Sequence, residues 1–406
     1  MTTTTTARPT TSRSLTATAI STTNVSSAST TTSIRQYGTS RLKHVPIYLD
    51  SDLRKASFKQ DLSKVLRALG FEGWSPLLLE IEKVSGSLTN AVFFVHHTLS
   101  SQTLLLRIYG PCTCSLISRK NELHMLHVLS TRYRIGPRVF GTFVNGRIEE
   151  YFDSTPLSPC EMRDPVISRR IGKRMRELHS VDSRGVFLPQ ENGDDILAEE
   201  VGVRQNVRKW IGVAKRVAET LKERDGERIK MIDLEKFERE WEEYWSWLMN
   251  WENKHGRSER VFAHNDTQYG NLLKLKNSKT LEIIVVDFEY ASVNAAAFDI
   301  GNHFQEWMAD YRSSTPHEMR QDKYPDKYER YNFYRGYGIE QEKLENMDES
   351  VKAWSRASEG MWAIWGVVQA ESPTTQMPTE RESGDGDFDY IGYALSRMLR
   401  FRFATY

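Results

Sequence analysis

Only three cysteines, Cys112, Cys114 and Cys160, occur in 406 residues. So sparse and odd a count excludes a disulfide framework and points to a reducing, cytoplasmic compartment. Cys112-Thr113-Cys114 could be half a metal site, but no Cys/His pair stands at a fitting spacing. Long apolar runs are missing as well. No stretch approaches the roughly 20 apolar residues of a membrane span, and the N-terminus lacks the apolar core of a secretory signal. Excess charge is also lacking: 55 basic against 54 acidic residues give a formal net charge of +1. That balance argues against a nucleic-acid binder working by bulk charge.

Large side chains are scarce in residues 1–34, where 21 positions are Ser or Thr. Such a segment buries too little to offset the entropy of ordering. No acidic residue precedes Asp50, whereas Arg8, Arg13, Arg35 and Arg41 are present. An acid-free, Arg- and Ser-containing start resembles an organelle transit peptide. It lacks an amphipathic apolar face, so the expectation is a solvated, disordered tail over 1–43.

The remainder, with the chain at 39% hydrophobic and 27% charged residues, can build a sizeable core. Phe58, Leu62, Val65, Leu66 and Leu69 recur at helical spacing, and Gly70 ends that helix. Strands are expected over 77–84, 91–96, 103–109, 138–143 and 146–152, with one helix near 116–130. This pattern predicts a small α+β lobe over 44–152. From about 165 the pattern turns mostly helical, giving a second lobe over 153–406. One long helix is expected over 233–254, with Trp241, Tyr244, Trp245, Leu248 and Trp251 as a core stripe. A polar loop is expected over 371–387.

Chemistry concentrates in residues 261–290. They read Val-Phe-Ala-His264-Asn265-Asp266, then Asn271, then an apolar strand ending at Asp287-Phe288-Glu289-Tyr290. A hydroxyl needs a proton acceptor as it attacks phosphorus, and Asp266 is the candidate. Asn271 and Asp287 offer the oxygen donors that Mg²⁺ prefers beside nucleotide phosphates. His264 is expected to buttress the loop. Alone, Asp266 and Asn271 would be ordinary turn residues; the full string makes phosphoryl transfer the stronger reading.

Two further features fit a nucleotide. Ser85-Gly86-Ser87-Leu88-Thr89-Asn90 lies between two strands, and small residues let backbone N–H groups approach phosphate. Arg107 is a charge inside Leu-Leu-Leu-Arg-Ile-Tyr. A phosphate and Glu122 on the following helix are its expected partners, as in the strand-lysine to helix-glutamate pair of protein kinases.

Gly-Ser-Leu-Thr-Asn at 86–90, Leu-Leu-Arg-Ile-Tyr-Gly at 105–110 and Gly-Pro-Arg-Val-Phe-Gly at 136–141 resemble the choline/ethanolamine kinase family. So do the segments 262–273, 287–290 and, most distinctively, Phe-Asp-Ile-Gly-Asn-His-Phe-Gln-Glu-Trp-Met-Ala-Asp-Tyr at 298–311. The likeness spans roughly 75–400. It implies a protein-kinase-like two-lobed fold and MgATP-dependent phosphorylation of choline or ethanolamine, with a homodimer as a common assembly. It implies Asp266 as base, with Asn271, Asp287 and neighbouring Gln268 at the metal. Ser85, Gly86, Ser87, Asn90, Arg107, Glu122, Glu149 and Tyr151 would serve the nucleotide. Tyr290, Glu306, Tyr311, Trp362, Trp365 and Tyr390 match positions lining the choline pocket. A quaternary ammonium has no N–H and is held by aromatic faces and carboxylates, which suits that set.

Some positions depart from the pattern. Glu150 stands where a neutral amide is common, and Asp-Ser-Thr-Pro at 153–156 replaces usual basic residues. Phe388–Tyr393 looks more like the ethanolamine-preferring branch, whereas the segments nearer the chemistry look more like the choline branch. An aminoglycoside-type phosphotransferase would share the base and metal pattern, but its polyhydroxyl cations call for an acidic pocket. An inactive kinase-like binding protein would not need Asp266, Asn271 and Asp287 together.

Overall fold

The computed structural model describes residues 33–37, 40–50, 52–55, 57–84, 90–109, 119–187, 200–371 and 388–403. Most of the Ser/Thr-rich tail, Ser85–Thr89 and nearly all of the 371–387 loop therefore lie outside the described residues. Two paired strands, β1 (Ser33–Tyr37) and β2 (Ser40–Val45), begin before the expected start of order at His44.

The small lobe is a seven-stranded sheet. Its remaining strands are β3 (Leu79–Val84), β4 (Asn90–His97), β5 (Thr103–Tyr109), β6 (Val139–Phe143) and β7 (Gly146–Glu150). The order is β1-β2-β6-β7-β5-β4-β3. Helix α1 (Ser57–Leu69) buries Phe58, Leu62, Val65, Leu66 and Leu69, the periodicity its sequence carries. Gly70 follows at φ +102°, a left-handed turn that glycine adopts without a Cβ clash. These side chains and Phe93, Val95, Leu106 and Ile148 form the lobe's own core. Helix α2 (Arg119–Val128) lies on this sheet and runs into one π-turn at Leu129–Tyr133. It is shorter than the expected 116–130 helix, of which residues 116–118 lie outside the described residues.

The large lobe is mainly helical. After the short strand β8 (Ser154–Pro156) come α3 (Pro159–Met162), α4 (Pro165–His179), α5 (Gly202–Thr220), α6 (Lys222–Ile232) and α7 (Leu234–His255). Four short strands carry the reactive segment: β9 (Arg260–Ala263), β10 (Leu272–Leu275), β11 (Ile283–Val285) and β12 (Ser292–Ala295). Helices α8 (Ala296–Glu306), α9 (Lys327–Tyr337), α10 (Leu344–Gln369) and α11 (Tyr390–Phe403) complete it. β10 pairs with β11 and β8, while β12 pairs with β9. Two narrow ribbons thus present the loops at 264–271 and 286–291 side by side. The aromatic stripe of α7 is core, with Trp241, Tyr244, Trp245 and Leu248 all buried. No described helix is long and apolar enough to cross a membrane.

Candidate active site

β9 delivers the chain into His264-Asn265-Asp266 through a left-handed residue, Asn265 at φ +68°. A non-glycine residue there is strained unless its surroundings fix it. The fixing group is Asp299, from the first turn of α8. Its two oxygens accept from the His264 amide (2.9 Å) and the Asn265 amide (2.7 Å). His179 of α4 adds a third bond at 2.8 Å and is itself held by Tyr337 at 2.7 Å. Burial works against the ionised Asp299, but the His179 hydrogen bond and nearby charge hold its carboxyl below the usual range. Lower on the same helix, Asn302 Nδ2 donates to the Asn265 carbonyl, and His303 Nδ1 donates to that of Thr267. Asp299, Asn302, His303 and Glu306 share one face of α8, at intervals of three, four and seven.

The His264 imidazole is fully buried and bonds to backbone groups. Its Nε2–H meets the Val286 carbonyl at 3.0 Å and its Nδ1 accepts from the Asp266 amide at 3.2 Å. It buttresses the loop, and burial pushes its pKa down.

Asp266 stands partly open to solvent. Asn271 Nδ2 donates to Asp266 Oδ2 (2.8 Å) and to its carbonyl (2.9 Å). Burial, then the carboxylates of Glu306, Asp287 and Glu289, push the Asp266 carboxyl well above its usual range. With its N–H₂ turned to Asp266, the amide oxygen of Asn271 remains an available donor. Gln268 is different: its Oε1 accepts from Gly270 N at 2.8 Å and caps its own turn. The structure therefore does not add Gln268 to a ligand set with Asn271 and Asp287.

Asp287 also has a left-handed backbone, φ +70°. Phe288, beside it, packs so close to Gly136 of the small lobe that a Cβ there would sit 2.8 Å from its ring. Among the described residues Asp287 Oδ1 is buried without a hydrogen-bond partner, and Glu289 Oε2 lies 3.6 Å from Arg119 Nη1. An unpartnered carboxylate oxygen on Asp287 and the amide oxygen of Asn271 are the kind of hard donors such a cation takes, so the residues present fit Mg²⁺. Burial and Asp287 push Glu289 up to about 8.

Arg107 reaches Asp287 Oδ2 at 3.3 Å and Glu149 Oε1 at 3.1 Å, joining the small lobe to the reactive segment. The expected Arg107–Glu122 pair is not formed. Glu122 instead meets Arg147 at 2.8 Å and Arg119 at 2.9 Å. The cause is strand register. Arg107 on β5 stands directly opposite Arg147 on β7, so two adjacent guanidinium groups divide the carboxylates between them. Burial opposes ionisation of Glu122, but the arginines hold its pKa down at about 2. Glu149, expected at the nucleotide, likewise turns its buried carboxylate into this cluster. Tyr151 follows β7, edge-on to Phe94 at 5.0 Å. Ser85, Gly86 and Ser87 lie outside the described residues; Asn90 begins β4.

The expected aromatic set converges. Tyr290 and Trp362 meet at 5.2 Å, Trp362 and Trp365 at 5.3 Å, and Trp365 and Tyr390 at 5.9 Å. Trp365 Nε1 donates to Tyr290 OH at 2.8 Å, and Trp362 Nε1 to Asn302 Oδ1 at 2.7 Å. The second bond ties this wall to the residue that holds the Asn265 carbonyl. Tyr311 OH donates to Glu306 Oε2 at 2.8 Å. Phe388 and Tyr393 complete the wall against Tyr311 and Trp365, although only Tyr390 was singled out from that segment. Their ring contacts with this set are the signal that places them in the wall.

A sheet lobe, a helical lobe, and a carboxylate, amide and second carboxylate gathered beside their junction define a protein-kinase-like phosphotransferase. The model of the choline/ethanolamine kinase family matches residues 81–402, and the chain belongs to that family. It is 32% identical to the choline kinase of Schizosaccharomyces pombe, over 84% of this chain and 87% of that one. It is 30% identical to probable choline kinase 2 of Arabidopsis thaliana, over 84% and 91%. Among solved structures, an ethanolamine kinase of Plasmodium vivax shares the fold with a TM-score of 0.70 at 22% identity, covering 88% of this chain and 92% of that one.

Proposed function

We propose that this enzyme transfers the γ-phosphoryl group of ATP to the hydroxyl of choline, giving phosphocholine and ADP. One observation carries the reading: Glu306, bonded to Tyr311 at the foot of an aromatic wall, stands on the face of α8 whose Asp299, Asn302 and His303 hold the loop carrying Asp266. A small cation held at Glu306 presents its own hydroxyl to Asp266. Its positive charge also offsets the field that raises the Asp266 carboxyl, which favours the ionised form a base needs. Asn271 and Asp287 would hold Mg²⁺, which neutralises charge on the phosphoryl oxygens. Arg107 serves the phosphates from the small-lobe side, exchanging part of its contact with Asp287 for them. The same reading takes the enzyme as cytoplasmic, supported by its sparse cysteines, and homodimeric, supported by family likeness. Ethanolamine is the second reading, because a carboxylate at Glu306 also suits an N–H-bearing ammonium.

The test is kcat/KM for choline, ethanolamine and their two methylated intermediates in one preparation. Choline is expected to lead; a lead by ethanolamine selects the second reading, and turnover of neither overturns both. Trp362→Ala is expected to raise the choline KM several-fold to about thirtyfold, with a much smaller change in the ATP KM. Equal changes would reduce Trp362 to packing. Arg107→Met is expected to raise the ATP KM and leave the choline KM near its original value; the reverse would remove Arg107 from the nucleotide side.

A further inference from the structure

Both oxygens of Glu306 are hydrogen-bonded before any substrate arrives. Arg397, on the third turn of α11, is wholly buried. Its Nη2 donates to Glu306 Oε1 at 2.6 Å, Nη1 to Gln305 Oε1 and Glu359 Oε2 at 3.1 Å each, and Nε to Tyr393 OH at 3.1 Å. Glu359 Oε1 accepts in turn from Arg400 Nε at 2.6 Å. Two carboxylates and two guanidinium groups thus form a charge-balanced buried chain running away from the pocket. At the pocket end, Tyr311 OH occupies a position on Glu306 Oε2. Each oxygen of Glu306 already accepts one strong hydrogen bond.

This matters differently to different ammonium ions. A quaternary ammonium has no N–H and asks of Glu306 only its field and its place under the rings. A primary ammonium brings three donors into an aromatic enclosure, where every donor left without an acceptor carries its desolvation cost. A carboxylate clamped by a guanidinium is the poorer acceptor for them.

We propose that Arg397 is a positioning residue that sets the preference among ammonium classes by clamping Glu306, disfavouring N–H-bearing substrates. The inference rests on the amino-alcohol kinase reading above. Arg397→Met alone leaves two buried carboxylates facing one guanidinium and invites unfolding. The informative variant is Arg397→Met with Glu359→Gln, which removes one charge of each sign and releases Glu306 Oε1. Its ratio of kcat/KM for ethanolamine over choline is expected to rise roughly tenfold, the worth of about one buried hydrogen bond. The gain should shrink stepwise from ethanolamine through the monomethyl and dimethyl amines. Glu359→Gln alone is expected to keep the wild-type ratio. Arg397→Lys, which preserves the cluster's charge but not its fork, should shift the ratio in the same direction by less. Equal losses on all four amines in both Arg397 variants would reduce Arg397 to a structural role and overturn the inference. Failure of the wild type to phosphorylate any of the four would instead overturn the functional reading, and this inference with it.

Discussion

Asp266→Asn is expected to lower kcat by roughly 10²–10⁴-fold and to yield a folded enzyme that melts above the wild type when free of ligands. The loss follows from geometry. Asp266 is the carboxylate that sits beside both Asn271 and the field of Glu306, and an amide cannot take the hydroxyl proton. The gain follows from electrostatics. In the folded state the Asp266 carboxyl is raised by burial and by Glu306, Asp287 and Glu289, so the ionised form is disfavoured there. A carboxyl raised on folding takes stability away as pH climbs above its unfolded value of about 3.9. Asparagine does not ionise. The melting gap in favour of Asp266→Asn should therefore be small near pH 4 and widen toward neutrality. Turnover within a factor of a few of wild type would remove Asp266 as the base; a lower melting temperature at neutral pH would contradict the electrostatic account.

Asp299→Ala is expected to be the most damaging single change to the fold of the site, costing about 3–5 kcal/mol of stability and nearly all turnover. The side chain is wholly buried and accepts from two consecutive amides and an imidazole. Alanine leaves three donors unanswered and removes the carboxylate bonded to the Asn265 and His264 amides. Asn265 would be free to leave its left-handed conformation, carrying Asp266 with it. Urea unfolding and a turnover assay on the same sample decide the matter. A variant that unfolds at the wild-type midpoint would show that the three bonds are replaceable, by water for instance.

Much of this site is legible in the sequence because it is local. His264 to Asn271 is one loop, and the apolar strand before Asp287 announces where that residue must emerge. The five expected strands of the small lobe and α1 carry clean periodicity, and the structure follows them within a residue or two, whereas β1 and β2, in and beside the Ser/Thr-rich start, carry no such pattern. What depends on register or on distant elements is not legible. Nothing in the spacing of Arg107 and Glu122 reveals that Arg147, opposite Arg107 on β7, competes for the same carboxylate. Asp299 lies within the most distinctive segment, yet its role appears only once α8 is folded against the loop. Phe388, Tyr393 and Arg397 sit beyond a polar loop, and only packing against α10 brings them to the pocket.

The face of α8 described above has a further consequence. Asp299 anchors the loop that carries Asp266, and under the proposed function Glu306 would anchor the cation, so the two ends of the substrate would be referred to one rigid rod. Seven residues separate them, a rise of about 10 Å along the axis. The spacing of their Cα atoms is fixed by the helix itself. Under the proposed function the backbone of α8 would set the reach between hydroxyl and nitrogen, and acceptors one carbon longer or shorter are expected to be poorer substrates in kcat/KM.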